Sequence, residues 1–406
     1  MRSIPREVSL SCVLNEAYAA NDAPINDEKA LSPGQTSQAR IWVLGCGLMR
    51  KHVRLLLTGF CAPGFTSIVY ALRKSALYEF YLFSTDWKPN LAECFADSSE
   101  VIGDDLAPNW TDKIIESARR EKIRVLVPIR TDDLAPLARN IKRLREIGVV
   151  PTLPTENPEL IQTMTNKGDA YAALSKLGIP VPNHFRVNNL DSMREAAYSL
   201  GYPDLPVCVK PVVADGSRGF RILDEKMDKK TLFFQEKPSS VLSDLDSVCS
   251  VLGEGFPEML VMEYLPGKEY TVDILCREGT TYAVVPRLRT QMTAGISTDA
   301  ILSKDEHYDH ICELSKKTVR GFSLSYNIGI QMREDRNGNP KILEINPRLQ
   351  GTTIISVEGG VNIPDLMVQM ALGDFNPNYR PEIKWGLRLH RVYREIFQLE
   401  DKVWTT

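Results

Sequence analysis

The chain has 406 residues, of which 43% are hydrophobic and 25% charged, a composition typical of a multi-domain globular protein. Its net charge is −3, from 49 basic and 52 acidic side chains, so no bulk positive field attracts nucleic acid or acidic lipid. No run of about 18 apolar residues is present, which argues against a transmembrane helix. The 8 cysteines are scattered without a CxxC pair, a pattern typical of free thiols, so we expect a cytoplasmic protein.

The first part of the chain contains an extension and then a strand signal. Residues 1–40 carry turn chemistry without periodicity, which predicts a weakly ordered extension. The apolar run Ile41–Leu44 predicts a strand, Gly45–Gly47 a turn, and the spaced apolar residues between Leu48 and Leu56 a helix. The turn lacks the third glycine of a dinucleotide fingerprint, because Arg50 stands there, so we interpret it as structural.

Strands then alternate with a helix. Apolar runs at Phe80–Phe83 and Val125–Ile129 end in polar residues, and Trp110–Arg120 between them has a helical pattern. This alternation indicates a parallel, helix-covered sheet whose ligand side is the carboxyl ends of its strands. The proline-rich stretch 151–158 predicts the end of this α/β domain, which we place at 41–155.

The second half has an antiparallel texture. A helix is predicted over about Lys167–Leu177, and Asn337–Pro340 between two apolar runs is a hairpin signal. We predict an α+β body over 156–385, with a subdomain at about 180–265 and a C-terminal segment at 386–406.

A glycine-containing loop, Asp215–Gly219, joins two apolar strands. It is not a Walker loop, because no Lys-Ser or Lys-Thr pair opens a helix after it. Its backbone N–H groups could cradle phosphate oxygens, and the alternative is a flexible hairpin tip. Lys210 favours phosphate, because an ammonium at the end of a buried strand needs an anionic partner.

A hinge-like segment follows the strand that ends at Glu263. Its backbone could meet an adenine edge, with Tyr264 and Leu265 packing on the ring, and Glu269 could accept hydrogen bonds from ribose hydroxyls. Taken singly, each of these residues is more typical of an ordinary strand end.

The sharpest local pattern is a trio of oxygen-bearing side chains on the predicted hairpin. Alternate strand residues share a face, so Glu344 and Asn346 should point one way while Leu343 and Ile345 point into a core. Gln331 lies opposite them. Hard oxygen ligands suit Mg²⁺, which usually shares phosphate oxygens with its protein ligands. The alternative is the polar outer face of an ordinary hairpin.

Further residues are candidates for contact with a substrate. Arg348 lies beside the trio and could neutralise negative charge that develops during a reaction. Arg287 and Arg289, on one predicted strand, could pair with a substrate carboxylate. Four small or hydroxyl residues could line the pocket: Gly295, Ser297, Gly351 and Thr352.

In this order along the chain, the motifs resemble the ATP-grasp superfamily, and most of all the carbamoyl-phosphate-synthetase-like carboxylate–amine ligases. The resemblance covers about 41–385 and includes the tail Glu-Ile-Asn-Pro-Arg, 344–348. The resemblance depends on Lys167, Lys210, Asp215–Gly219, Glu263–Glu269, Gln331, Glu344, Asn346 and Arg348. It implies a fold of class α/β plus α+β, with a parallel α/β domain preceding an ATP-grasp domain that has a mobile lid.

The resemblance also implies roles for these residues. ATP would lie between two α+β subdomains, with the glycine loop closing over its phosphates and Lys210 and Arg348 assisting catalysis. The residues expected to bind ATP are Lys167, Lys210, Gly216, Ser217, Arg218, Gly219, Glu263, Tyr264, Leu265 and Glu269. Gln331, Glu344 and Asn346 would hold one or two Mg²⁺ ions, or Mn²⁺ in their place.

The implied reaction is ATP-dependent formation of an amide or peptide bond through an acylphosphate, with release of ADP and phosphate. Two alternatives stay open: carbamoyl-phosphate-type phosphorylation of a small carboxylate or carbamate, and a non-catalytic nucleotide-binding module. The expected partners are a small-molecule carboxylate and an amine, with a homodimer as a further expectation and with neither nucleic acid nor a membrane.

Overall fold

The computed structural model describes residues 50–103, 107–214, 216–235, 241–293, 295–392, 395–400 and 402–405. The predicted extension 1–40, the strand Ile41–Leu44, the glycine turn after it and Asp215 therefore lie outside the described residues. Everything described below belongs to one compact unit, Met49–Thr406. Within the described part, no helix has both the length and the apolar character needed to cross a membrane.

The first part of this unit is a parallel sheet with helices. Its strands are β1 (Lys51–Thr58), β2 (Tyr78–Asp86), β3 (Ser98–Val101), β4 (Val125–Pro128) and β5 (Val150–Pro151). They pair in the order β3-β2-β1-β4-β5, all parallel. The helices are α1 (Phe65–Arg73), α2 (Trp110–Arg120), α3 (Thr131–Arg139) and α4 (Ile141–Glu146). The predicted parallel sheet is confirmed, and α2 has the predicted bounds.

The helix predicted between Leu48 and Leu56 is wrong, because its described part forms β1. Leu55, Leu56 and Leu57 are all fully buried, since β1 is the central strand and both faces of the sheet are covered. Such a continuous apolar run cannot be told from a buried helix by periodicity. The helix begins only at Phe65, after a loop that contains two glycines.

That loop, Gly59–Gly64, lies at the topological switch point of the sheet. The chain runs from β1 to β2 and β3 on one side and then crosses to β4 and β5 on the other. Ligands of open α/β sheets bind in the crevice at such a point, at the carboxyl ends of the strands. Gly59 and Gly64 have φ of 87° and 100°, which favours glycine, and the Cys61 amide donates to Asp86 Oδ2 at 2.6 Å.

A second sheet has its own small core. Its strands are β6 (His184–Asn189), β7 (Val207–Pro211), β8 (Arg221–Leu223), β9 (Leu242–Ser243) and β10 (Gly255–Glu263), in the order β6-β10-β7-β8-β9. Its helices are α7 (Leu190–Ser199), α8 (Lys229–Gln235) and α9 (Leu245–Leu252). Met193 of α7, Val248 of α9 and Val209 of β7 pack together in this core. The sheet lies within the segment predicted as a subdomain, whose bounds stay a prediction.

The third sheet is antiparallel and larger. Its strands are β11 (Glu269–Arg277), β12 (Thr280–Thr293), β13 (Ile296–Leu302), β14 (Tyr326–Glu334), β15 (Pro340–Asn346) and β16 (Arg388–His390), in the order β15-β14-β11-β12-β13-β16. The accompanying helices are α5 (Pro158–Thr165), α6 (Lys167–Lys176), α10 (Tyr308–Gly321), α11 (Ile354–Glu358) and α12 (Ile363–Leu372). A final hairpin pairs β17 (Ile396–Leu399) with β18 (Lys402–Thr405).

The predicted hairpin β14–β15 is confirmed, with one correction. Gln331 pairs with Glu344, but Met332 pairs with Ile342, so Leu343 has no partner on β14. The extra residue forms a bulge and shifts the alternation. Ile342 and Ile345 are therefore the buried pair, whereas Leu343, predicted to lie in the core, is only half-buried.

Candidate active site

Two buried lysines converge on β15 from different elements. Lys167 is the first residue of α6, whose N-terminus is capped by the side chain of Asn166. Its Nζ donates to the carbonyl of Ala214 at 2.6 Å and lies 3.8 Å from Glu344 Oε2. The capped helix start therefore fixes one ammonium between Ala214, the residue that precedes the glycine loop, and the carboxylate of β15.

The second ammonium comes from β7. Lys210 Nζ donates to the Tyr171 hydroxyl at 2.9 Å and to the carbonyl of Leu343 at 3.4 Å. Burial lowers the pKa of Lys210 to about 8, and the negative charge of Glu344 opposes part of that effect. Lys210 thus keeps a buried positive charge at neutral pH with neutral hydrogen-bond acceptors, an arrangement suited to an incoming anion.

The predicted oxygen-bearing trio lies on one face of the β14–β15 hairpin. Gln331 pairs with Glu344, and Asn346 pairs with Gly329 two residues along β14. Among the described residues, no cluster of three His, Cys, Asp or Glu side chains could hold a metal ion. A carboxylate and two amides do fit Mg²⁺ when further oxygens come from a bound phosphate.

The described part of the glycine loop lies over the turn between β12 and β13. Gly216, Ser217 and Gly219 have φ of 63°, 60° and 69°, so their backbone is left-handed. A Cβ atom placed on Gly295 would collide with Ser217 Oγ. This close approach joins the predicted phosphate loop to the segment predicted to line a substrate pocket.

The hinge residues already have protein partners. Glu263 accepts from the Asn183 amide at 2.8 Å and from Lys341 Nζ at 2.6 Å. Leu265 is buried, and the guanidinium of Arg333 lies 5.6 Å from the centre of the Tyr264 ring.

The predicted ribose acceptor, Glu269, is held by two arginines. Its carboxylate oxygens lie 2.6 Å from Arg289 Nη1 and 3.5 Å from Arg333 Nη1. Arg289 also donates to the carbonyl of Gly295 at 3.1 Å. This guanidinium therefore links the ribose candidate to the turn under the glycine loop.

Arg287, the other arginine predicted to bind substrate, is fully buried. Its Nη1 lies 2.6 Å from Asp273 Oδ2, and its Nε donates to Thr352 Oγ1 at 2.9 Å. Asp273 also accepts from Gln350 Nε2 at 3.1 Å and from Ser356 Oγ at 2.7 Å. This satisfied buried network fixes the loop at 350–353, and the charge of Arg287 is neutralised within it.

Two arginines beside that loop have no acidic partner within the described part of the chain. Arg348 donates to Thr131 Oγ1 at 3.3 Å and to the carbonyl of Leu349 at 3.1 Å, and Arg391 donates to the carbonyl of Gly351. Neither forms an ion pair with any residue that the structure describes. Burial and the neighbouring charge of Arg287 lower the pKa of Arg391.

The same loop touches the switch point of the parallel sheet. A Cβ atom on Gly64 would lie 2.8 Å from the Cα of Gly351. Thr131, the partner of Arg348, is the first residue of α3 and follows β4 closely. Sequence reasoning could have found Thr131 from the rule on carboxyl strand ends, whereas no motif surrounds Arg391.

A cleft of about 740 Å³ lies outside this cluster. It is lined by residues 178–185 together with Ser175, Ser199 and Leu200. Its lining includes neither of the two lysines nor the trio, so it is separate from them.

The chain is similar to several known proteins. Residues 255–395 match the family described as ATP-grasp in the biosynthetic pathway with Ter operon. An uncharacterised protein, y4rH, of Sinorhizobium fredii (strain NBRC 101917 / NGR234) is 25% identical over 231 residues, 55% of this chain and 45% of that protein. The carbamoyl phosphate synthase large chain of Methanosphaerula palustris (strain ATCC BAA-1556 / DSM 19958 / E1-9c) is 25% identical over 203 residues, 50% of this chain and 18% of that protein. The chain thus spans less than half the length of these relatives.

A solved structure shares the fold. The ADP complex of N5-carboxyaminoimidazole ribonucleotide synthetase superposes with a TM-score of 0.59 and 16% identity, over 83% of this chain and 80% of that chain. The chain has an ATP-grasp fold, and its residues 255–395 match an ATP-grasp family. Carbamoyl phosphate synthases are among its sequence relatives.

Proposed function

We propose that this protein is an ATP-dependent carboxylate–amine ligase that forms an amide or peptide bond through an acylphosphate and releases ADP and phosphate. One observation carries the proposal. Two buried ammonium groups, from Lys167 on α6 and Lys210 on β7, converge on β15 beside Glu344. Buried cations next to a hard-oxygen cluster form a site for a polyphosphate and its divalent cation.

ATP would occupy the space between the second and third sheets, as the resemblance implies. The lysines would contact its phosphates under the glycine loop, and the hinge at Glu263–Leu265 would meet its adenine. Glu269 would then accept from ribose hydroxyls, so its pairing with Arg289 must loosen when ATP binds. Release of Arg289 would free a guanidinium close to the phosphates.

Mg²⁺ would be held by Gln331, Glu344 and Asn346 together with phosphate oxygens. When bound, it would neutralise charge on the transferring phosphoryl group. The trio supplies a single negative charge, and Lys167 lies 3.8 Å from that carboxylate. The trio alone is therefore a weak cation site. We propose that one or two ions bind there together with ATP.

The carboxylate substrate would bind where the loop at 350–353, with Arg348 just before it, meets the switch point of the parallel sheet. Arg348 and Arg391 are the arginines there whose charge is not neutralised by an acid in the described part. A carboxylate would pair with them in place of the backbone carbonyls that they contact now. The loop at 350–353 can pack closely against the loop Gly59–Gly64 because neither Gly64 nor Gly351 carries a Cβ atom. Arg287 then acts through the loop that it fixes, while Arg289, Gly295, Ser297 and Thr352 remain proposed pocket residues.

The chemistry follows from these positions. A carboxylate oxygen of the substrate attacks the γ-phosphorus of ATP, the bond to the β-phosphate oxygen breaks, and ADP leaves. Lys210, Lys167 and the loop amides stabilise the charge that spreads over the phosphoryl oxygens. The amine then attacks the acyl carbon and phosphate leaves. Closure of the glycine loop would exclude water, which otherwise hydrolyses the acylphosphate.

A second candidate is carbamoyl-phosphate-type phosphorylation of a small carboxylate or carbamate. The sequence similarity to carbamoyl phosphate synthase large chains over half of this chain favours it. The two candidates differ in whether the reaction needs an amine. In both, the substrates are small molecules and the products include ADP.

The test is a screen for ADP release over amino acids and small carboxylic acids, offered singly and in pairs with Mg²⁺ and ATP. A ligase should release ADP only when an acid and an amine are both present. ADP release with an acid alone favours the second candidate. Release of AMP and pyrophosphate would contradict both, and Glu344→Ala should abolish any genuine turnover.

A further inference from the structure

Tyr171 lies one helical turn after Lys167 on α6, on the same face of the helix. Both residues point at β15: Lys167 Nζ lies 3.8 Å from Glu344 Oε2, and the Tyr171 hydroxyl donates to the carbonyl of Leu343 at 2.8 Å. The helix therefore contacts two successive residues of β15 with two different groups. Lys167 is among the residues that the ATP-grasp resemblance singles out, and Tyr171 is not.

The direction of the hydrogen bonds makes Tyr171 an acceptor for the second lysine. The hydroxyl has one hydrogen, which it gives to Leu343, so its oxygen is free to accept from Lys210 Nζ at 2.9 Å. Burial keeps the pKa of Tyr171 well above its ordinary value, so the hydroxyl stays neutral. It can therefore fix the ammonium in place without neutralising its charge.

No acid in the described part forms an ion pair with Lys210. The charged or titratable groups that face it are Glu344 on β15, Cys208 on β7, Glu269 on β11 and Tyr171 on α6. Its recorded hydrogen bonds go to Tyr171 and to the carbonyl of Leu343. Neutral oxygens thus determine where this ammonium lies.

Both groups contact β15 at its bulge. Leu343 is the residue without a partner on β14, and its carbonyl accepts from both Tyr171 and Lys210. β15 is also the edge strand of the third sheet, so its outer side faces no further strand of that sheet. The carbonyl of Leu343, next to Glu344, is therefore the anchor for the tyrosine hydroxyl.

We propose that Tyr171 is a positioning residue whose hydroxyl, anchored on the bulged carbonyl of Leu343, holds the ammonium of Lys210 where it meets a nucleotide phosphate. This inference rests on the proposed function, because it requires a phosphate at Lys210. The competing explanation is that Tyr171 only fills the core with its ring. The two explanations differ in what removal of the hydroxyl alone does.

The test is calorimetric binding of Mg·ADP and of adenosine to the full chain and to Tyr171→Phe, which keeps the ring. We expect ADP affinity to fall about tenfold, the size of one lost hydrogen bond to a charged group. Adenosine has no phosphate, so its affinity should not change. In a Lys210→Met background, Tyr171→Phe should cause no further loss of ADP affinity, because the group that it positions is gone.

Tyr78→Phe is the matched control. Tyr78 is also buried, and its hydroxyl donates to Asp374 at 2.7 Å, in the region of the parallel sheet. It should lower the melting temperature without altering ADP affinity. Three results would overturn this inference and leave the proposed function standing. They are equal weakening of ADP and adenosine binding by Tyr171→Phe, unchanged ADP affinity in Tyr171→Phe, and full additivity of its effect with that of Lys210→Met. Failure of the wild-type protein to bind Mg·ADP would overturn the proposed function together with it.

Discussion

Replacing Lys210 by methionine should weaken ATP binding while leaving the ligand-free protein at least as stable as the wild type. Methionine matches the length of the lysine stem but carries no charge. Lys210 is 9% exposed and its ammonium donates to neutral acceptors, so its charge lowers the stability of the fold but favours the binding of an anion. The two effects have opposite signs, which makes the substitution informative.

The magnitudes follow from the same surroundings. Burial lowers the pKa of Lys210 from 10.5 to about 8. A depression of this size corresponds to a penalty on the order of 3 kcal/mol for the charged form. Removing the charge relieves this penalty but leaves the Tyr171 hydroxyl without its donor, so the free energy of unfolding should stay level or rise by about 1–2 kcal/mol. A charge-assisted bond to phosphate contributes about 1.5–3 kcal/mol, so the Kd for ATP should rise about 10- to 150-fold.

The measurements are chemical denaturation of the ligand-free protein and calorimetric titration with Mg·ATP. Lys226→Met is a matched control, because Lys226 lies in the segment of the second sheet but is exposed and donates to the carbonyl of Asp204. It should leave ATP affinity unchanged. An unaltered ATP affinity in Lys210→Met would refute the assignment of Lys210 to phosphate, and a loss of several kcal/mol of stability would refute the view that its charge is poorly compensated.

Three further predictions follow from the site. Affinity for ATP should be highest well below pH 8 and fall as the pH rises through about 8, because the lowered pKa of Lys210 makes it lose its charge there. Lys210→Met should flatten that profile in calorimetric titrations, and an identical profile in both proteins would contradict the assignment. Arg391→Met should raise the KM for the carboxylate about tenfold or more and leave ATP affinity unchanged, since the guanidinium donates to the carbonyl of Gly351, in the loop assigned to the carboxylate. A parallel loss of ATP affinity would contradict the assignment. Mn²⁺ should bind tightly only when ATP is present, because the trio supplies a single carboxylate that Lys167 already faces. Electron paramagnetic resonance measures this binding. Tight Mn²⁺ binding without ATP would contradict a site in which the trio shares the ion with phosphate oxygens.

The order of the motifs could be predicted from sequence because each motif depends on local chemistry. Each motif can be recognised within a few residues: the lysine that ends a strand, the glycine loop, the Asn-Gly hairpin turn and the alternating oxygen ligands. The hairpin signal predicts that Gln331 lies opposite the segment with Glu344 and Asn346, and the structure pairs Gln331 with Glu344.

The parts that sequence could not give depend on distant neighbours. Buried β1 has an apolar run on both faces, which periodicity cannot separate from a helix. The bulge at Leu343 depends on pairing across the hairpin, and the alternation of residues along β15 does not predict it. An arginine can bind a substrate carboxylate only if no acidic side chain from elsewhere in the chain already pairs with it. Asp273 pairs with Arg287, whereas no acid in the described part pairs with Arg391.

The most direct test of the proposed ligase chemistry follows the oxygen atoms of the carboxylate substrate found by the ADP-release screen. With heavy-oxygen label in both carboxylate positions, the acylphosphate route transfers one labelled oxygen to the released phosphate and leaves the other in the amide. We predict that phosphate from the complete reaction carries this label, as read by mass spectrometry. Label in AMP, or unlabelled phosphate during amide formation, would contradict the account.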